Sequence, residues 1–278
     1  MPKVIQPRTF NPRKSLFVLA VLAVAFFVFQ RPPPPITWSF AGTTMGTEYS
    51  IKVFTGSLDS SGATALKTDI DKLLVEVNRQ MSTYIPDSEI SSFNRSVDTN
   101  FQFVSQGFAV VTSNAIALCV ETGGAFNPAL DHLINAWGFG HEGPRKEPSA
   151  DELARALALS GCDRIEVAPG SRIRKLDPDV HLNLNAIAKG WGSDEVARLL
   201  ARQGLTNFMV EIGGEVVARG MSEQGRSWRI GIDRPVDGAL PGEAYDLVVA
   251  LDGKALATSG NYRNFVVNEA GEKVSHIF

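Results

Sequence analysis

Residues 207–220 read NFMVEIGGEVVARG, two strand-like runs on either side of Gly213-Gly214. Paired glycines between such runs signal a two-residue β-hairpin, because the turn needs backbone angles that glycine adopts without strain. A hairpin closes an antiparallel ladder, so at least part of the fold must be an antiparallel sheet. The runs WRIGID, YDLVVAL, RNFVV and KVSHIF follow it and read as further strands. Upstream, Glu48 to Phe54 alternates Tyr49, Ile51 and Val53 as a half-buried strand does. Leu66, Ile70, Leu73, Leu74, Val77 and Met81 instead recur at helical spacing and predict an amphipathic helix over 63–81. Pro86 stops it, and Asp87 or Ser88 can cap a short new helix. A helix over 105–121 ends at Gly123-Gly124, and others are predicted over 151–160 and 187–202. Helices early and strands late, without regular alternation, predict an α+β fold: a mixed, largely antiparallel sheet with packed helices.

The 278 residues, 44% of them hydrophobic, suffice for a full core in one large domain or two modest ones. The net charge of -3 hides an asymmetry: residues 1–31 hold Lys3, Arg8, Arg13, Lys14 and Arg31 and no acid, leaving 22 basic against 30 acidic residues in the body. An acidic body argues against nucleic-acid binding, which needs a basic face to displace counterions. The basic start precedes LFVLAVLAVAFFVF, an apolar run of 14 residues. Such a run fits the apolar core of an export signal better than a full spanning helix, and no small-residue cleavage site follows it. Residues 1–31 are therefore expected to be an uncleaved signal-anchor at the inner membrane, with everything after Arg31 exported to the periplasmic side. Residues 32–39, rich in proline, are expected to be a stiff spacer. Cys119 lies on the apolar face of a predicted helix and is read as a small core residue; a disulfide with Cys162 is the alternative in an exported chain.

Gly138 to Gly143 matches the dinucleotide pattern GxGxxG letter for letter. No strand precedes it and PRKEP follows, so a glycine-rich loop is the better reading. The stretch LNLNAIAKGWG, residues 182–192, is more pointed. It puts Lys189 near a helix start, between residues that offer it no local partner, where an ammonium and the positive end of a helix suit an anionic ligand. A solvated lysine is the other reading. Tyr84 could stack on a ring or pack in the core, and Thr43 to Thr47 is a small-residue approach to the first strand, open to close contact. His276, alone on a terminal strand, is structural or catalytic.

Taken in order, MGTEYSI (45–51), MSTYIPDSEISSFN (81–94), GGAFNPAL with WGFG (123–140), LNLNAIAKGWGSD (182–194), VEIGGEVVARG (210–220), WRIGID (228–233) and ALATSGNYRNF with SHI (255–277) resemble the ApbE-type FAD:protein FMN transferases. The likeness spans about residues 40–278, which would be the flavin transferase domain. It implies a magnesium-dependent, extracytoplasmic enzyme that cleaves FAD at its pyrophosphate, passes FMN to a threonine hydroxyl of a partner flavoprotein and releases AMP. On this resemblance His276 would be the general base and Lys189 would hold the phosphates. Met45, Tyr84, Ala125, Phe126, Asn127, Asn183 and Ile277 would line the FAD site, and the Ala186 carbonyl would be one ligand of Mg2+.

Two departures accompany the likeness. The family commonly has aspartate where this chain has Asn127, and often where it has Asn183; asparagine keeps the shape but not the charge. The family also places an Asp-Pro-x-Thr-Gly-like turn after SHI, and later a helix whose aspartate and threonine complete the metal site. The chain as written stops at Phe278 in an apolar strand pattern, which predicts a fragment of a longer product, weak in magnesium binding and FMN transfer. FAD hydrolysis to FMN and AMP, and a non-catalytic flavin-binding or maturation accessory, are the alternative functions.

Overall fold

The computed structural model describes residues 33–141, 147–236, 242–260, 265–267, 271 and 273–275. The predicted anchor lies outside these residues, as do His276 and Ile277. No helix among the described residues is long and apolar enough to cross a membrane.

The chain enters as β1 (Ile36–Thr44), which pairs along its whole length with β2 (Thr47–Thr55). Pairing thus begins at Ile36, inside the stretch expected as spacer. Ile36, Trp38 and Phe40 alternate with Thr37 and Ser39 as a strand requires, but the proline run before them carries the expected spacer through residue 39. α1 (Ser60–Met81) follows, capped by the Asp59 carboxylate on the Gly62 N–H at 2.7 Å. Its buried residues Leu66, Ile70, Leu74, Val77 and Met81 are those of the predicted stripe. The short helix after Pro86 is α2 (Glu89–Arg95), capped by Ser88 rather than Asp87.

Next come β3 (Gln102–Phe103), α3 (Gln106–Glu121), α4 (Asp131–Ala136) and α5 (Ala150–Ala158), the last with a full capping box between Ser149 and Glu152. α4 was not predicted: six residues are too few to show a helical period. A 3-10 turn (Cys162–Arg164) leads to β4 (Ile165–Ala168) and β5 (Arg172–Lys175), and then α6 (Asn185–Arg202) returns the chain to the sheet. The predicted hairpin is β6 (Phe208–Ile212) and β7 (Glu215–Arg219), with positive φ at both Gly213 and Gly214. β8 (Trp228–Asp233), β9 (Tyr245–Leu251), β10 (Lys254–Ala257), β11 (Phe265–Val267) and β12 (Lys273–Ser275) complete the described elements.

The main sheet has the order β1-β2-β6-β7-β10, beside sheets β3-β5-β4, β8-β9 and β11-β12. Every pairing among the described residues is antiparallel, so the expectation of a mixed sheet gives way to antiparallel sheets with helices. One core lies between the main sheet and α1 and α6, formed by Ile51, Leu66, Ile70, Val196, Val210 and Ile212 among others. A second joins Phe93, Phe108, Val111, Ile173, Leu182 and Leu184 under the small sheet. Met45 and Leu73 pack against both. The start of α6 therefore sits where the two cores meet.

Candidate functional site

The segment entering α6 is held by side chains. Asn94, near the end of α2, donates from Nδ2 to the Leu182 carbonyl and accepts the Leu182 N–H on Oδ1, both at 2.8 Å. It gives that segment the pair of bonds a neighbouring strand would give. The fully buried Lys175 donates to the Asn94 carbonyl at 2.8 Å, and burial pushes its ammonium pKa down while Asp179 and Asp177 oppose the shift. One residue beyond Leu182, the Asn183 N–H donates to the Pro128 carbonyl at 2.8 Å. Asn183 Oδ1 accepts from the Asn185 N–H at 3.0 Å, and its Nδ2 donates to Asp131 Oδ1 at 2.9 Å.

α6 begins after Leu184 without a side-chain cap from that residue and with no acid in its first turn, which leaves the helix start electropositive. Lys189 follows one turn in. Its Nζ donates to the Gly213 carbonyl at 3.1 Å and pairs with Glu215 Oε2 at 3.0 Å. The lysine without a local partner is thus paired at long range, across the hairpin, which no local pattern could reveal. Burial raises the Glu215 carboxyl above the usual range, and Lys189 opposes the rise.

The β1–β2 turn lies against the same hairpin. Met45 and Gly46 have φ of 50° and 71° and are the two turn residues between the paired Thr44 and Thr47. The small-residue approach expected over Thr43 to Thr47 is therefore the tight turn between two paired strands. A Cβ on Gly213 would sit 2.6 Å from Thr47 Cγ2, and one on Gly192 would sit 2.8 Å from Met45 Cε. Turn and hairpin touch at a distance that a Cβ on Gly213 would not fit without a shift, while at Gly192 the neighbour is the flexible end of Met45. From the far side of the hairpin, Thr258 donates to the Gly214 carbonyl at 3.1 Å.

Ala125, Phe126 and Asn127 follow α3 through Gly123 and Gly124, both at positive φ. The Phe126 N–H donates to Thr122 Oγ1 at 3.0 Å, Asn127 Oδ1 accepts from the Ala129 N–H at 2.9 Å, and Asn127 Nδ2 donates to the Ser160 carbonyl at 3.3 Å. Cys119, in the last turn of α3, forms a disulfide with Cys162, two residues beyond Ser160. This corrects the reading of Cys119 as only a small core residue: it is buried and also bonded, and the cross-link spans both ends of the loop's support. Ala125 is exposed, while Phe126 packs partly buried against the same core as Met45, Ile187 and Trp191.

Tyr84 is 57% exposed; its hydroxyl donates to the Phe139 carbonyl at 3.2 Å, and its ring meets His141 edge-on at 6.3 Å. The GxGxxG match follows α4 and a turn, not a strand, in accord with its rejection. Phe139 belongs instead to the loop that meets Tyr84.

The start of α6 thus carries two walls. Lys189 belongs to one, with the turns at Met45 and Gly213. Asn183 belongs to the other, joined to the Phe126-Asn127 loop through Pro128. Glu215, Asp131 and Asn94 are parts of these walls that sequence reasoning missed. Only Glu215 left a signal, as the acid that immediately follows the hairpin glycines. A cavity of about 390 Å³ adjoins the lysine wall, lined by Gly190, Trp191, Asp194, Glu215 and Leu256 among others. Burial raises the Asp194 carboxyl as it does that of Glu215.

Ala186 is exposed in the first turn of α6. Its neighbour Asn183 is uncharged, and no group of three or more His, Cys, Asp or Glu able to hold a metal occurs among the described residues. Ala186 and Asn183 do not by themselves supply the carboxylate that magnesium commonly takes beside waters and substrate phosphates.

The ApbE family matches this chain over residues 45–278. An FAD:protein FMN transferase of Vibrio cholerae is 40% identical over 240 residues, 85% of this chain and 70% of the relative. One of Haemophilus influenzae is 38% identical over 270 residues, 94% of this chain and 76% of the relative. The solved structure of the flavin transferase ApbE from Vibrio cholerae superposes with a TM-score of 0.77 at 38% identity, covering 88% of this chain and 76% of that one. The chain belongs to the ApbE family.

Proposed function

We propose that this protein is an FAD:protein FMN transferase. The observation that carries the reading is that the family matches residues 45–278 and relatives named FAD:protein FMN transferase align over most of the chain, together with Met45, Gly213 and Asn183 lying against the N-terminal half of α6. There Lys189 and an electropositive helix start suit a pyrophosphate. In this reading Lys189 offsets the charge of the FAD diphosphate. Met45, Tyr84, Ala125, Phe126, Asn127, Asn183 and Ile277 line the remainder of the molecule. The threonine oxygen of an acceptor flavoprotein forms the new bond to the FMN phosphorus, the bond to the bridging oxygen breaks, and AMP leaves. His276 takes the threonine proton as general base. Magnesium, when bound, would lower the charge on the diphosphate; the Ala186 carbonyl is the donor proposed here, and no step above is routed through the metal.

We also propose an extracytoplasmic location at the membrane. The disulfide between Cys119 and Cys162 supports it, since disulfides persist in oxidising compartments.

The test is incubation of the protein with FAD, magnesium and a threonine-bearing acceptor. The reading expects AMP release together with flavin fluorescence that stays on the acceptor after denaturation. AMP without labelled acceptor would mean hydrolysis, and binding without AMP would mean a carrier.

A further inference from the structure

Asp131 has no role in the reading above, yet its carboxyl is fully buried. An ionised carboxylate only accepts hydrogen bonds, and inside a protein it is costly to leave without donors. Its donors here are two amides: Asn183 Nδ2 on Oδ1 at 2.9 Å and Asn135 Nδ2 on Oδ2 at 3.1 Å. His181 Nδ1 stands 3.6 Å from Oδ2, too far for a good hydrogen bond, and its ring stacks on His132 at 4.2 Å.

Each amide leads to a wall of the site. Asn183 Oδ1 is already committed to the Asn185 N–H, so the bond to Asp131 fixes which way the amide faces. Asn135 lies so close to Gly140 that a Cβ there would come within 1.8 Å of Asn135 Oδ1. Gly140 adjoins Phe139, whose carbonyl takes the Tyr84 hydroxyl. One buried carboxylate thereby ties the entrance of α6 to the loop that meets Tyr84.

We propose that Asp131 is a positioning residue for the flavin nucleotide site: it locks the Asn183 amide and the 137–140 loop in register, and it is the reason that residue 183 is an amide in this chain. The inference rests on the FAD reading above. An aspartate at 183 would face Asp131 at hydrogen-bond distance in a buried setting, where two carboxylates cannot both ionise without strong repulsion. The exchanged pair, Asn at 131 and Asp at 183, would restore every bond. The new amide nitrogen donates to the carboxylate at 183, its oxygen accepts from Asn135, and the carboxylate still accepts from the Asn185 N–H.

The experiment is a double-mutant cycle on FAD affinity, read by quenching of flavin fluorescence with magnesium present, for the unaltered chain, Asp131→Asn, Asn183→Asp and the double exchange. Asn183→Asp alone is expected to weaken FAD on the order of tenfold, and the exchange to return to within about threefold of the original, a coupling in the range seen for contacting residues. KM for FAD should follow the same order while kcat changes by less. Melting points of all four proteins separate folding from positioning. Affinity effects that simply add, or melting points that move while affinity does not, would overturn the proposal. If Asn183→Asp fails to fold, an exchange that binds no more tightly than Asp131→Asn overturns it equally. An unaltered chain that does not bind FAD overturns the functional reading and this inference together; one that binds, with additive substitutions, overturns this inference alone.

Discussion

The two walls at the start of α6 are made by different means. The lysine wall is backbone: two tight hairpin turns, at Met45-Gly46 and at Gly213-Gly214, lie against one helix, and Lys189 is held by a carbonyl and an acid of the second turn. The asparagine wall is loop, and side chains hold it. Asn94, Asp131, Asn127 and Thr122 each bind backbone or amide groups there, and a disulfide closes it from behind. A wall of turns depends on local backbone geometry, while a wall of loops depends on long-range bonds that can each be removed. The difference predicts which substitutions reach binding through stability and which reach it directly.

The largest expected effect is on the loop wall. Replacing Cys119 and Cys162 by serine frees a loop with a sequence separation of 43. The chain-entropy estimate for such a closure is about 4 kcal/mol of lost stability. Urea denaturation should show it, with KM for FAD raised because the Phe126-Asn127 loop loses the covalent one of its supports. Equal stability of the double-serine protein would remove the disulfide from the account of this wall.

Next comes Lys189→Ala on the hairpin wall, with the opposite signature. The loss should be in ligand binding, about 2 kcal/mol or roughly thirtyfold in FAD affinity, the usual size for a charge-assisted contact. The melting point should fall only modestly, because Glu215, left without its cation in a partly buried place, can take up a proton instead of staying charged and unpaired. Calorimetric titration with FAD checks it; a variant that binds FAD as tightly as the original would dismiss the lysine as a phosphate ligand.

How far each wall was legible follows the same division. The Gly213-Gly214 hairpin, the stripe of α1 and a helix cap at Asp87 or Ser88 are written in short, local patterns, and the structure has the first two where the sequence puts them and settles the cap on Ser88. α4 is too short to carry a period, and β1 alternates only over Ile36, Trp38 and Phe40, directly after a proline run, before small residues follow. The pairing of Lys189 with Glu215 crosses the hairpin, and the bond of Asp131 to Asn183 joins positions 52 residues apart, so neither has a local signature. Cys119 illustrates the limit from the other side: its place on an apolar helix face was correctly read, but burial and bonding are compatible, and only the fold brings Cys162 to it.

A smaller effect tests the close approach within the hairpin wall. Gly213→Ala puts a side chain at φ of 54° and within 2.6 Å of Thr47. The left-handed conformation alone costs about 1–2 kcal/mol for a residue with a Cβ. Stability should fall by about that amount, and Gly213→Ala with Thr47→Ser, which removes the crowding methyl, should recover part of it. A loss that Thr47→Ser does not reduce would show that crowding between the two turns is no part of it.

The smallest effect is the sharpest for the charge balance of the lysine wall. The Glu215 carboxyl is raised by burial, with Lys189 opposing, so it takes up a proton at a pH above the ordinary carboxylate value. Protonation removes the negative partner of Lys189 and leaves the ammonium free for an anion. FAD affinity should therefore rise as pH falls through the Glu215 pKa, and the rise should vanish in Glu215→Gln. Stability has the same sign: with the folded pKa above the unfolded one, the contribution of this group is fully present below the unfolded value and lost as pH rises through the folded one. The change in affinity should stay within about 1 kcal/mol, because an ammonium that leaves one acid for a phosphate exchanges one charged partner for another. A titration of FAD binding between pH 4 and 8 decides; identical profiles for the original and Glu215→Gln would show that the acid does not compete for Lys189.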